Sequence, residues 1–165
     1  MIETYTPLFS EILDKVSKAK TKSGKINVLK QYNTPALRIV IKASFDPNIE
    51  WLLPRGLVPY QPNEAPEGTE HSILAREAKK LYHFVKGGDN TIGRNKREAM
   101  FIQMLEGLHI NEAELLIAAK DKILHQKYKG LSDNVVKEAF DWNDDYKLDD
   151  HASYPQAPGM ASGPG

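Results

Sequence analysis

The chain has no cysteine among its 165 residues. That excludes a disulfide framework and the thiolate zinc sites of ribbons and fingers, and it fits a reducing compartment. Net charge is also absent: 22 Lys and Arg balance 22 Asp and Glu. No apolar run approaches the roughly 18–20 residues that span a bilayer. The opening residues, MIETYTPLFSEILDKV, lack a basic stretch followed by a long apolar one. No secretory signal is therefore expected, and the expected location is the cytoplasm.

Catalytic signatures are missing as well. The five histidines, at 71, 83, 109, 125 and 151, include no pair three or four residues apart, so the helical ligand pair of zinc hydrolases is not there. Glu106-Gly-Leu-His109 has the Glu-x-x-His spacing of di-iron bundles, but no second copy accompanies it and Gly107 interrupts its helix. Gly88 to Gly93 has the glycine spacing of a P-loop without the Lys-Ser/Thr pair that reaches phosphate and magnesium. It reads as a glycine-bounded linker. No G-x-S-x-G elbow occurs. The expectation is a protein with no catalytic residue, no metal and no cofactor.

Helical patterning is present instead. A hydrophobic content of 41% supports a modest core in one domain. Leu8, Ile12, Leu13 and Val16 recur at helical spacing. Ser23 is a candidate cap for a second helix. Thr34-Pro35 is a cap followed by proline at the first helical position, which favours helix over strand for ALRIVIKASF. Asp46-Pro47 repeats the device and predicts a short helix over NIEWLL. The segment 54–71 holds four prolines and two glycines in eighteen residues, a density no regular element survives. Loops of this length often carry a function.

Beyond it, Ser72 to Lys86 predicts a helix stopped by Gly87-Gly88, and Asn95 to Glu106 another. Asn111 is the candidate cap of a third, whose LLIAA centre is apolar nearly all round and so belongs deep in the core. Ser132 caps DNVVKEAF. The fold class is all-α: a compact domain of about six or seven short helices over residues 1–140, in which the loop 54–71 joins two helical halves. Residues 141–165, acidic and then rich in Pro and Gly, predict a disordered tail.

Charge is segregated within the neutral total. Between residues 15 and 42 there is no Asp or Glu, while basic residues fall at 15, 18, 20, 22, 25, 30, 38 and 42. Lys15, Lys18, Lys22, Lys25, Lys30, Arg38 and Lys42 are candidate nucleic-acid contacts, since phosphate binding needs clustered cations. Between Glu138 and Asp150 six carboxylates face one lysine. There Phe140, Trp142, Tyr146 and Leu148 alternate with the acids and are candidate anchors for a protein partner. The same aromatics could instead pin the last helix to the core.

The runs YNTPALR, PNEAPEGTEH, FIQMLEGLH, EAELLIAAKDK and YKGLSDNVVKEAF resemble an uncharacterised family encoded by T-even-type tailed phages, especially those of marine bacteria. The resemblance covers about Leu8 to Phe140. It implies a viral protein made in the host bacterial cytoplasm and transfers no catalytic residue. The functional expectation is a non-enzymatic accessory protein that binds a host or phage protein during infection. The alternatives are a nucleic-acid-binding accessory protein using the basic N-terminal face, and a minor component of the virion.

Overall fold

The computed structural model describes residues 6–63 and 71–148. Its elements run in chain order α1 (Phe9–Lys18), α2 (Lys22–Gln31), α3 (Pro35–Phe45), α4 (Leu74–Glu77), a 3₁₀ segment (Ala78–Phe84), α5 (Arg94–Gly107), α6 (Ile110–Lys120), α7 (Leu124–Lys127) and α8 (Asp133–Phe140). The described residues contain no β-strand, only three isolated bridges. The fold is all-helical, and no helix among these residues is long and apolar enough to cross a membrane.

Local chemistry explains most helix starts. The Thr34 hydroxyl accepts the Leu37 N–H at 3.2 Å, and Pro35 opens α3. Ser132 caps α8 by accepting the Val135 N–H. Two caps differ from expectation. Thr21, not Ser23, caps α2, accepting the Gly24 N–H at 3.0 Å. His109, not Asn111, caps α6: its Nδ1 accepts the Asn111 N–H. Each earlier cap starts its helix two residues sooner.

Two expected helices are not formed as read. NIEWLL is irregular. Asp46 ends α3 and accepts the Asn48 N–H in a tight turn. The chain then runs extended and pairs with the strand-like exit of the 3₁₀ segment, Leu52 N–H to Phe84 C=O and Lys86 N–H to Glu50 C=O, both at 2.8 Å. Trp51 is thereby driven into the core, where its Nε1–H meets the Ala43 carbonyl at 2.9 Å. Here long-range pairing outweighs the proline start. Over 72–86 the chain makes a single α turn and then tightens to 3₁₀ geometry.

The core gathers Leu29 of α2, Leu37 and Ile41 of α3, Phe84, Phe101 and Leu105 of α5, Leu115 and Leu116 of α6, and Val136 and Phe140 of α8. α6 has Leu115, Leu116, Ala118, Ala119 and Lys120 buried, in accord with its apolar circumference. The loop after α3 is fastened at its start. The buried Lys120 ammonium donates to the Pro54 and Gly56 carbonyls, and Asp121 accepts the Gly56 N–H. Further on, Glu106 accepts the Gln61 N–H at 2.7 Å.

The domain does not end at Phe140. Asp141 adopts a left-handed conformation, φ 54°, and turns the chain back. Trp142 bridges to Leu148, and Asn143 closes the turn between them with bonds to Asp145 and Lys147. Trp142 and Tyr146 are buried, and Tyr146 Oη donates to the Asp133 carboxylate at the start of α8. The boundary expected at 140 moves to at least Leu148. The disordered tail expected beyond it lies outside the described residues.

Candidate functional site

A 3₁₀ helix has three residues per turn, so positions three apart stand in straight rows. The segment Ala78–Phe84 uses all three rows. Ala78, Leu81 and Phe84 point into the core and are 1–2% exposed. Lys79 and Tyr82 form a second, exposed row. Lys80 and His83, continued backward by Glu77, form a third. The second and third rows border two different depressions in the surface.

The first is an apolar groove of about 470 Å³ between the starts of α1, α3 and α4. Phe9, Ile12, Tyr32, Pro35, Ile39 and Ala75 form its floor and sides, and Lys79 stands at its edge. Ile39 is 40% exposed although it lies on the amphipathic α3. Lys15 reaches the rim, its ammonium 3.3 Å from Tyr32 Oη and 5.4 Å above that ring.

One residue fixes the groove's walls. Glu112, 1% exposed in the first turn of α6, accepts the Phe9 N–H on Oε2 at 2.8 Å and the Leu74 N–H on Oε1 at 2.9 Å. Phe9 opens α1 and Leu74 opens α4, so a single carboxylate satisfies donors that helix geometry leaves unpaired at two starts. The positive ends of both helix dipoles favour it. Burial nonetheless pushes the Glu112 carboxyl up from its ordinary value, against the two backbone bonds that pull it down.

The second depression, also about 470 Å³, lies between the Glu77–Lys80–His83 row and α5, where Met100, Gln103, Met104 and Gly107 recur at helical spacing. Lys80 pairs with Glu77 at 3.1 Å. His83 Nδ1 lies 2.6 Å from the Asp89 carboxylate. Asp89 also accepts the Thr91 N–H and hydroxyl, and these bonds, with His83 after them, draw its carboxyl down to about 2. The loop that carries Asp89 is held by the buried Arg97, whose guanidinium donates to the carbonyls of His83, Asp89 and Ile92. Gly88 allows the close return, since a Cβ there would overlap the Tyr82 carbonyl.

A third depression, about 570 Å³, is bounded by Phe45, Lys122, His125, Ser132 and Tyr146. Two of its polar groups, Lys122 and Tyr146, serve the fold. Lys122 donates to the Asp46 carbonyl at 2.6 Å. The Tyr146 phenol, raised to about 12 chiefly by burial and then by Asp133, secures the C-terminal turn.

The residues expected to bind a partner or nucleic acid are placed as follows. Phe140, Trp142 and Tyr146 are buried and Leu148 is half-buried, with the Trp142 ring tilted against Phe140 at 4.9 Å and edge-on to Tyr146 at 5.9 Å. The turn at Asn143 folds Phe140, Trp142 and Tyr146 into the core, which leaves these three aromatics little exposed surface. Of the basic residues, Lys18 pairs with Asp14 and Lys22 with Glu138. Lys25 donates inward to the Val16, Ser17 and Ala19 carbonyls at the end of α1. Arg38 bonds Asn33. Lys30 is exposed and Lys42 half-buried. α2 packs against α8, so the segregated charges partly answer each other within the molecule.

Sequence reasoning missed the Glu112 double cap and the His83–Asp89 pair. The second left a trace: Asp89-Asn-Thr91 has the spacing of an Asx turn, which places a carboxylate at a loop tip. Glu106 and His109, of the di-iron spacing, are each engaged elsewhere, Glu106 by the distant Gln61 N–H and His109 by the neighbouring Asn111 N–H. Among the described residues no three His, Asp or Glu side chains converge as a metal site.

The class so defined is a small all-helical domain with two side-by-side recesses along one 3₁₀ turn. The chain belongs to a family of unknown function, DUF6433, whose model matches residues 12–126. No curated protein and no solved structure matches the chain. The matched region contains the whole Glu77–His83 cleft and most of the groove.

Proposed function

We propose that the chain is a phage accessory protein that binds another protein during infection, and that it does so through the groove between α1, α3 and α4. The occupant we assign is a short segment of the partner, apolar on the side it lays into the groove and acidic at its edge. The single observation that supports this reading is an apolar depression walled by Ile39, Pro35 and Ala75 and rimmed by Lys15 and Lys79. Apolar side chains fill such a floor at about 25 cal/mol per Å² removed from water, and carboxylates answer the lysines, which tunes specificity and encounter rate. The phage setting and the cytoplasmic location rest on the sequence resemblance. Association with the virion is compatible with the same contact.

The nucleic-acid alternative is weaker on this geometry, because Lys18, Lys22 and Lys25 spend their charge on Asp14, Glu138 and the end of α1. Selection of a displayed random-peptide library on the protein tests the leading reading. Peptides combining Leu, Phe or Trp with Asp or Glu are expected to be enriched, and to lose binding to Ile39→Glu by at least tenfold, the equivalent of about 1.4 kcal/mol. Enriched peptides that bind Ile39→Glu as well as the parent would refute the groove as the docking site.

A further inference from the structure

We propose that the cleft between the 3₁₀ segment and α5 binds a small planar heterocycle bearing a ring N–H, of the nucleobase class, with His83 Nε2 as the acceptor. The tautomer follows from geometry. His83 Nδ1 faces an Asp89 carboxylate, which can only accept. The neutral ring therefore carries its proton on Nδ1 and presents a bare Nε2. Among the described residues no hydrogen bond reaches Nε2, while His83 itself lines the cleft. Arg97, Gly88 and the Asx turn at Asp89 hold this acceptor in place before any ligand arrives.

The rest of the cleft suits a flat ring. Met100 and Met104 supply the apolar surface, backed by the buried Phe84, and thioethers make favourable contacts with aromatic rings. Gln103 is exposed on the opposite wall and offers one donor and one acceptor edge, the complement of a lactam. A volume of about 470 Å³ falls within the range of small-molecule sites and exceeds a single base, leaving space for a substituent.

Uracil titrated into isotopically labelled full-length protein, followed by NMR, reads this directly. Saturable shifts are expected at the His83 imidazole and at the Met100 and Met104 methyls. N,N′-dimethyluracil, which keeps the ring and lacks both N–H groups, is expected to bind about tenfold more weakly, the value of one well-placed hydrogen bond. His83→Phe keeps a ring over Tyr82 and removes the acceptor, so it should bind uracil no better than the wild type binds the dimethyl compound. Gln103→Trp, at an exposed position, should close the cleft and abolish the methyl shifts. Equal binding of uracil and its dimethyl derivative overturns the proposal. So does the lack of saturable shifts with uracil, or full binding by Gln103→Trp.

Discussion

Replacing Glu112 with Ala is expected to cost about 2–6 kcal/mol of stability at neutral pH, because it strands two buried N–H donors at about 1–3 kcal/mol each. The donors are those of Phe9 and Leu74, and nothing else among the described residues bonds them at the starts of α1 and α4. Urea denaturation followed by circular dichroism should show the midpoint lowered by on the order of 1–2 M. Glu112→Gln is the informative partner variant. Its amide can accept one of the two N–H groups but turns an N–H₂ towards the other, so it should fall between Ala and the wild type.

The pH dependence separates burial from bonding. Burial raises the Glu112 carboxyl in the folded protein. The unfolded chain therefore releases this proton first as pH rises from about 4.3. In that window the unfolded state holds fewer protons, so the Glu112 contribution is full below the ordinary carboxyl value and declines as pH climbs through the folded one. Glu112→Gln should remove that slope. A midpoint for Glu112→Ala within experimental error of the wild type would mean that water or rearranged side chains satisfy the two helix starts.

Trp142→Ala should be comparably severe, about 3–5 kcal/mol, the usual range for truncating a buried tryptophan. Trp142 is 9% exposed and packs on Phe140 and Tyr146. Removing it empties the seam between α8 and the C-terminal turn and loosens the bond from Tyr146 to Asp133. Thermal melts of this variant, beside a chain ending at Phe140, measure the effect. A loss below about 1 kcal/mol, far short of the buried-tryptophan range, would show that the segment detaches cheaply, and would return these aromatics to the role of docking anchors.

The two variants mark what the sequence exposes and what it conceals. Thr34-Pro35 and Ser132 announce α3 and α8 because capping is local chemistry, written within four residues. The apolar centre of α6 likewise declares its burial. The 3₁₀ segment was readable in principle from Ala78, Leu81 and Phe84 at a strict spacing of three. Over seven residues, however, periods of 3.0 and 3.6 diverge too little to choose between them.

NIEWLL failed for another reason: its backbone bonds are supplied by Phe84 and Lys86, more than thirty positions away, and no local signal encodes such a partner. The candidate sites share that property. Glu112 meets a residue 103 positions earlier, and the groove joins three helix starts that are separate in sequence. Trp142 and Tyr146 were ambiguous because acid-flanked aromatics look alike whether they anchor a partner or a terminal turn. Only the reversal at Asp141 and Asn143 decides it.

Amide hydrogen exchange of the protein alone and bound to a peptide enriched from the displayed library tests the central claim most directly. Slower exchange confined to residues 6–12, 32–39 and 75–79, the three walls of the groove, is the expected result. Protection over residues 15–30 without any change at 32–39 and 75–79 would contradict it.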